Sequence, residues 1–445
     1  MKGMINVKNS SMGHHTFAMN KKLSYNEANE LLTDFKKHEG LKIDHIYVDK
    51  NTSGADPFIK WLLSTIPRYY VIHYPGQNKG ITWLLRISKT SPGFIKLPPG
   101  YLDRPYQLSD NIDRPSSIRA VINTKVLTGI NGRKDYLTAA NDSDLKSVEQ
   151  LFNIEAEKIS PLLGNFMAYS MNRGDYCANI FLDGLTEICP SELIPRIPEL
   201  IMGLIKHSDV PFHYTDKYEA DKNSYYLNSK SATLNCYLKQ PQLQKKQYDC
   251  PNIEAATYLL RFEVQYKYLK IYSLIRSLRK ESDYSNVDLI CKLLSNDFCA
   301  EVIKSYFDRV IKPGDYYTFA KAKKLIEARN FLWNKELRLI NTLKLIDQCE
   351  GISKAKDILQ GKELDDLRRS LRELAQIGIN PVLIPDTWGI DHIQNLLDMY
   401  YMNLQNESPF TSEMCHELIN YEAAKEADIM SDKKIAEARA LLRKR

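Results

Sequence analysis

Apolar and polar residues alternate through three stretches near the middle of the chain. In "NRGDYCANIFL" (172–182), Arg173, Asp175, Cys177 and Asn179 fall on one side and Tyr176, Ala178 and Ile180 on the other. In "TLNCYLK" (233–239), Tyr237 and Lys239 oppose Leu238, and in "LLRFEVQYKY" (259–268), Arg261, Glu263 and Gln265 oppose Phe262 and Val264. A period of two predicts strands with one face in a core and the other polar. "KIDHIYVD", "RYYVIHY", "ITWLLRIS", "SIRAVINT" and "NSYYLNS" add strands rich in β-branched and aromatic residues. Helical spacing marks 24–40, with Ser24 as N-cap and Gly40 as stop, and also 56–66, 143–160 and 190–208, the last starting at Pro190. Beyond about residue 270 every periodic stretch is helical, down to the basic tail "KKIAEARALLRKR".

This order predicts an α+β protein: a central, antiparallel-rich sheet followed by a helical C-terminal half. The Pro-, Gly- and Asp-rich stretch 90–117 reads as a long loop or a boundary. The expected division is an α/β portion over 1–115, a core over 116–270 and a helical region over 271–445. No internal repeat stands out. With 61 Lys and Arg against 55 Asp and Glu, the net charge of +6 permits a nucleic-acid partner without demanding one. The absence of a long apolar run argues against a membrane, and eight scattered cysteines read as free thiols of a cytoplasmic protein.

Aligned on a common core, the three strands would gather two acids, an amide, two arginines, a lysine and a tyrosine on their polar faces. Such a set suits strand cleavage by transesterification. Asp175 and Glu263, with Asn179 as a neutral third ligand, are hard oxygen donors for Mg²⁺ or Mn²⁺. Arg173, Arg261, Lys239 and Lys230 are candidates to hold phosphates. Tyr237 is the candidate nucleophile. The competing reading is a structural network of ion pairs around a strand tyrosine.

The ordered motifs "NRGDYCANI", "SATLNCYLK" and "LLRFEVQ" resemble the rolling-circle replication initiators of Gram-positive plasmids and of phages. These are relatives of the HUH endonucleases, and conjugative relaxases are similar. The likeness covers roughly 165–270 and extends loosely to "IGINPVLIPDTW". It implies nicking by Tyr237, a metal site at Asp175 and Glu263, and a 5′-phosphotyrosine intermediate. It also implies single-stranded and duplex origin DNA as partners, with unwinding by a host helicase, since no phosphate-loop motif occurs. A homodimer is compatible with it.

The chain departs from the family pattern in several places. His14 and His15 are adjacent rather than alternate, His213 stands alone, and Val121 falls near a position that often carries an acid. A single-tyrosine enzyme is expected, with Tyr225 and Tyr226 as fallback nucleophiles. "NTLKLIDQCEGISKAKDIL" is compatible with a helix-turn-helix, turning at Gly351 with Ser353 as cap. The alternatives are a conjugative relaxase and a non-catalytic DNA-binding regulator.

Overall fold

The computed structural model describes residues 12–46, 68–75, 79–88, 115–129, 137–210, 215–216, 222–245 and 253–405. The helix expected at 56–66, the loop over most of 90–117, His213 and the basic tail lie outside them.

The fold is α+β. Ten strands form one sheet: β1 (Gly13–Lys22), β2 (Lys42–Ile46), β3 (Arg68–His73), β4 (Ile81–Ile87), β5 (Ser117–Asn123), β6 (Ser170–Phe181), β7 (Thr215–Asp216), β8 (Ser224–Asn228), β9 (Ala232–Leu238) and β10 (Leu259–Tyr266). All pairings are antiparallel, and the order is β2-β3-β4-β5-β1-β6-β10-β9-β8-β7. Nine spacings make the sheet roughly 43 Å wide.

One face is apolar at its buried positions, apart from His14 of β1. Phe17, Met19, Ile72, Trp83, Ile118 and Ile122 of the first five strands are buried there. So are Tyr176, Ile180, Leu234, Cys236, Phe262 and Val264 of the last five. Helices cover this face. Tyr25–Lys37 starts at a capping box in which Ser24 and Glu27 satisfy each other's backbone N–H. It buries Ala28, Leu31, Leu32 and Phe35 in the main core. Asp144–Ile159, Ile197–Lys206 and Asn296–Val310 bury their stripes in the same core. Ile197–Lys206 begins later than Pro190. Pro195 and Pro198 donate no backbone N–H and are tolerated only around a helix start, so the regular helix opens beside them.

The boundary expected at residue 115 cuts through this sheet. β1 is a central strand, hydrogen-bonded to both β5 and β6, so the first hundred residues supply four of the ten strands of the layer that carries the three motif strands. The strand order also contains a repeat that the sequence does not display. Adding five to each number in β2-β3-β4-β5-β1 gives β7-β8-β9-β10-β6, the other half read from edge to centre. Each half is a strand, a helix-bearing connection and a four-strand meander, and the halves join through the antiparallel pair β1–β6. Strand alternation constrains only polarity, so two halves can share connectivity with unrelated residues.

The helical half builds a second, smaller core from Ala322, Ile326, Leu339, Leu343, Leu374 and Ile379. The long periodic run at 318–349 is two helices, Phe319–Glu327 and Trp333–Gln348, broken at Asn330 in the left-handed region (φ 50°). Gly351 does make the expected turn: φ is +134°, and a Cβ there would sit 3.0 Å from the His207 carbonyl oxygen. Ser353 does not cap the helix Ile352–Ile358; its hydroxyl accepts from the Val210 N–H at 2.7 Å. Lys356 pairs with Asp209 at 2.6 Å. This helix is therefore committed to packing against residues 207–210. "IGINPVLIPDTW" is not an α-helix but a strap, buried over 379–384 and ending in the short 3-10 turn Asp386–Trp388, in which Asn380 donates to the carbonyls of Ile311 and Lys312.

Candidate active site

The three motif strands are neighbours, in the order β6-β10-β9. Their register stacks the polar residues in rows across the face opposite the core. Asn179 lies opposite Arg261, which lies opposite Tyr237; Cys177 faces Glu263, which faces Asn235; Asp175 faces Gln265, which faces Thr233. Tyr237, Glu263 and Asp175 therefore share one side of the sheet, Tyr237 and Asp175 each diagonal to Glu263. A one-residue slip in any strand would put its members in the core instead.

The Tyr237 hydroxyl donates to Glu263 Oε2 at 3.2 Å. Arg173 grips Asp175 with two nitrogens, Nε at 2.8 Å and Nη2 on the other oxygen. Gln265 also donates to Asp175. Arg261 donates from Nε to Asn179 Oδ1 at 2.8 Å and from Nη2 to the Leu137 carbonyl at 2.6 Å. Asn179 Nδ2 donates to that same carbonyl at 2.7 Å. Leu137 belongs to a small apolar cluster with Val126, Phe181, Leu243, Ala256 and Leu259. It roofs the Arg261 end of the face, whereas Glu263, Gln265 and Arg173 remain partly open to solvent.

Burial dominates the titration of the site. It raises Asp175 above the ordinary 3.8, against the opposing pull of Arg173. It raises Glu263 above 4.5, and the nearby Asp175 raises it further. The Tyr237 hydroxyl is pushed well above 10 by burial and then by Glu263. Cys177, beneath Glu263, is pushed up to about 11 by burial and remains a neutral thiol. Two acids that hinder each other's ionisation in a shared low-dielectric place are stabilised by a proton or by a cation.

Few of the expected residues reach solvent: Tyr237 (5% exposed) and Asp175 (1%) are themselves buried. Arg261 is fully buried and bound to protein groups, so it holds the roof rather than presenting itself to a flanking phosphate. Lys239 does not continue the strand: β9 ends at Leu238, and Lys239 opens the helix Lys239–Lys245, buried, with its ammonium donating to Gln242 at 3.0 Å. Asn179 has its carbonyl oxygen engaged by Arg261, and both Asp175 oxygens are engaged by Arg173, so Glu263 and the Gln265 carbonyl oxygen are the less committed donors and a cation at Asp175 would share it with Arg173. Lys230 is exposed at the β8–β9 turn.

Of the fallback tyrosines, Tyr225 is buried on the core face, while Tyr226 faces the site from β8, opposite Asn235, and is partly exposed. His14 is wholly buried on the core side, opposite Tyr176, and burial lowers it from 6.5 to about 4. His15 Nδ1 lies 3.0 Å from the Thr16 hydroxyl. Among the described residues no group of three or more His, Cys, Asp and Glu converges. Two carboxylates and an amide nevertheless fit a cation such as Mg²⁺, which commonly takes one or two protein carboxylates and completes its shell with water and phosphate.

Sequence reasoning missed Arg119. It projects from β5 on the site face, where burial lowers its pKa below the ordinary arginine value, the nearby Arg173 lowers it further and Asp175 opposes the shift. The alternation in "SIRAVIN" was the available signal. Comparison with protein-family models and with curated proteins returns no match. Among the described residues no helix is long and apolar enough to cross a membrane.

Proposed function

We propose that the chain is a metal-dependent nickase and religase acting on single-stranded DNA, of the kind that initiates rolling-circle replication. The observation that carries this reading is the hydrogen bond from Tyr237 to Glu263, with Asp175 on the same face. Glu263 accepts the phenolic proton as Tyr237 Oη attacks phosphorus. Burial raises the basicity of Glu263 and so improves it as a proton acceptor. The new O–P bond forms as the bond to the 3′ oxygen breaks. The 3′ oxygen takes a proton from water and leaves as a free hydroxyl, the proton on Glu263 returns to solvent, and the 5′ phosphate stays on tyrosine. Reversal rejoins the strand without another energy source. Asp175, Gln265 and the Glu263 oxygen not bonded to Tyr237 (Oε1) would hold the cation, which would supply charge neutralisation at the phosphate. Arg173, partly exposed beside them, is the cation of this chain best placed to meet a phosphate oxygen.

The test uses end-labelled single-stranded oligonucleotides tiling the DNA that flanks the gene, with Mg²⁺ or Mn²⁺. An SDS-resistant adduct whose DNA-bearing peptide contains Tyr237, and its loss in Tyr237→Phe, are expected. A Tyr237→Phe protein that still forms the adduct removes this residue from the chemistry. Tyr226 is then the second reading, favoured by its greater exposure on the same face.

A further inference from the structure

One residue past Gln265, β10 ends at Tyr266, and Lys267 leads into the helix Tyr268–Glu281. Ile271 is buried, and Leu274, Ile275 and Leu278 pack against the main core. At 3.6 residues per turn, Tyr268, Leu269, Tyr272, Arg276, Arg279 and Lys280 then share about a third of the circumference, on the opposite side. All six are exposed, Tyr268, Leu269 and Tyr272 at 51%, 56% and 53%. The rings of Tyr268 and Tyr272 stack, with centroids 5.8 Å apart and planes at 28°.

Residues 267–281 hold five cations (Lys267, Lys270, Arg276, Arg279 and Lys280) and one acid, Glu281 in the last position of the helix, against a net +6 for the whole chain. A surface helix usually gains from carboxylates set four residues from its cations. Here Arg276 and Lys280 repel each other at that spacing. Lys267 ties the start of the helix to the β8–β9 turn, donating to Asn228 Oδ1 and the Ser229 carbonyl at 2.5 Å. The exposed face thus begins at the rim of the candidate active site.

We propose that this helix face is a track for single-stranded nucleic acid, with bases on Tyr268 and Tyr272 and phosphates on Arg276, Arg279 and Lys280. A predominantly cationic surface calls for a polyanion, and exposed aromatic rings call for unpaired bases, whose faces a duplex conceals. The inference deepens the nicking proposal and rests on it only for the path of the strand.

The experiment uses the full-length Tyr237→Phe protein without divalent cation, so that binding is read apart from cleavage. Fluorescein-labelled mixed-sequence 20-mers, single-stranded and duplex, are titrated by anisotropy across a NaCl series. The single strand is expected to bind tighter than the duplex. Adding Tyr268→Ala and Tyr272→Ala weakens single-strand binding by about tenfold or more. Adding Arg276→Gln, Arg279→Gln and Lys280→Gln lowers the slope of log affinity against log salt by about 2. All five side chains are exposed, and circular dichroism verifies the fold. Unchanged single-strand affinity and slope in both variants overturn the track. So does a loss confined to self-association by sedimentation, or to binding of phosphatidylserine-containing vesicles. If the effects appear but wild type forms no tyrosine adduct, the nicking proposal fails and the track stands. If the adduct forms and the effects do not appear, the reverse holds.

Discussion

The two halves of the sheet share strand order and differ in what they place on the face opposite the main core. On the C-terminal half, β6, β10 and β9 bring an acid, a second acid and a tyrosine within reach of one another. At the corresponding place in the N-terminal half, β1 offers Thr16 and Ala18, β5 offers Arg119 and Val121, and β4 offers Thr82 and Leu84. The only carboxylate on the described part of that face is Asp44 of β2, near the far edge. It is paired with Lys42 at 3.0 Å and His73 at 3.0 Å, and Lys42 and Asp44 both stand well out in solvent. The same backbone plan therefore supports two electrostatic regimes. One keeps its charges in water, where pairing contributes little; the other sinks them under a roof, where each charge depends on its neighbour.

The sharpest way to break this comparison is at Glu263. Glu263→Gln keeps the shape and removes the proton acceptor of the proposed mechanism, so single-turnover nicking should fall by about 10²- to 10⁴-fold. Thr82→Val, on the same face of the other half, should leave the rate within about twofold, because it touches none of the groups that move a proton. Equal losses in the two variants would mean that the face works as a surface and not as a site.

Stability should separate the halves next. Arg173→Ala strands the Asp175 carboxylate, whose side chain is 2% exposed, and should cost about 3 kcal/mol by denaturant titration at neutral pH. Lys42→Ala breaks a pair of exposed partners and should leave the denaturation midpoint unchanged. If Arg173→Ala proves as mild as Lys42→Ala, Asp175 is reached by water and the site is more open than its burial indicates.

A period of two assigns residues to faces, and for that reason the faces of β6, β9 and β10 are readable from Asp175, Tyr237 and Glu263 alone. Cap chemistry likewise marks the helix start at Ser24. Periodicity does not encode where a strand stops, so alternation carries Lys239 one residue too far along β9, when it already belongs to the next helix. Nor does it encode the cover over a face. The burial of Arg261 depends on a carbonyl 124 residues away in sequence, and no local pattern announces such a roof. The duplication stays hidden because it resides in connectivity, and Arg119 because a lone cation in a strand has no distinctive signature.

The smallest effect, and the one that contrasts the halves most directly, is in the pH dependence of stability. His14 on β1 is held neutral by burial, with a folded value of about 4 against 6.5. The unfolded chain then binds the extra proton in that window, so acidification from about pH 6.5 to 5 should remove about 2 kcal/mol of stability. Asp175 and Glu263 act in the opposite sense. Their raised values mean that the folded chain binds protons that the unfolded one has released, so stability falls as pH rises above the ordinary carboxylate values of 3.8 and 4.5. In the wild type the two contributions partly cancel over the mildly acidic range. His14→Leu should reveal the carboxylates, giving a protein that gains stability as pH is lowered towards their ordinary values of 4.5 and 3.8. Glu263→Gln should reveal the histidine and steepen the loss. Denaturant midpoints at half-unit pH steps measure both. Parallel profiles for the two variants would show that burial does not control ionisation in either half, and would take away the argument that Glu263 is tuned as a base.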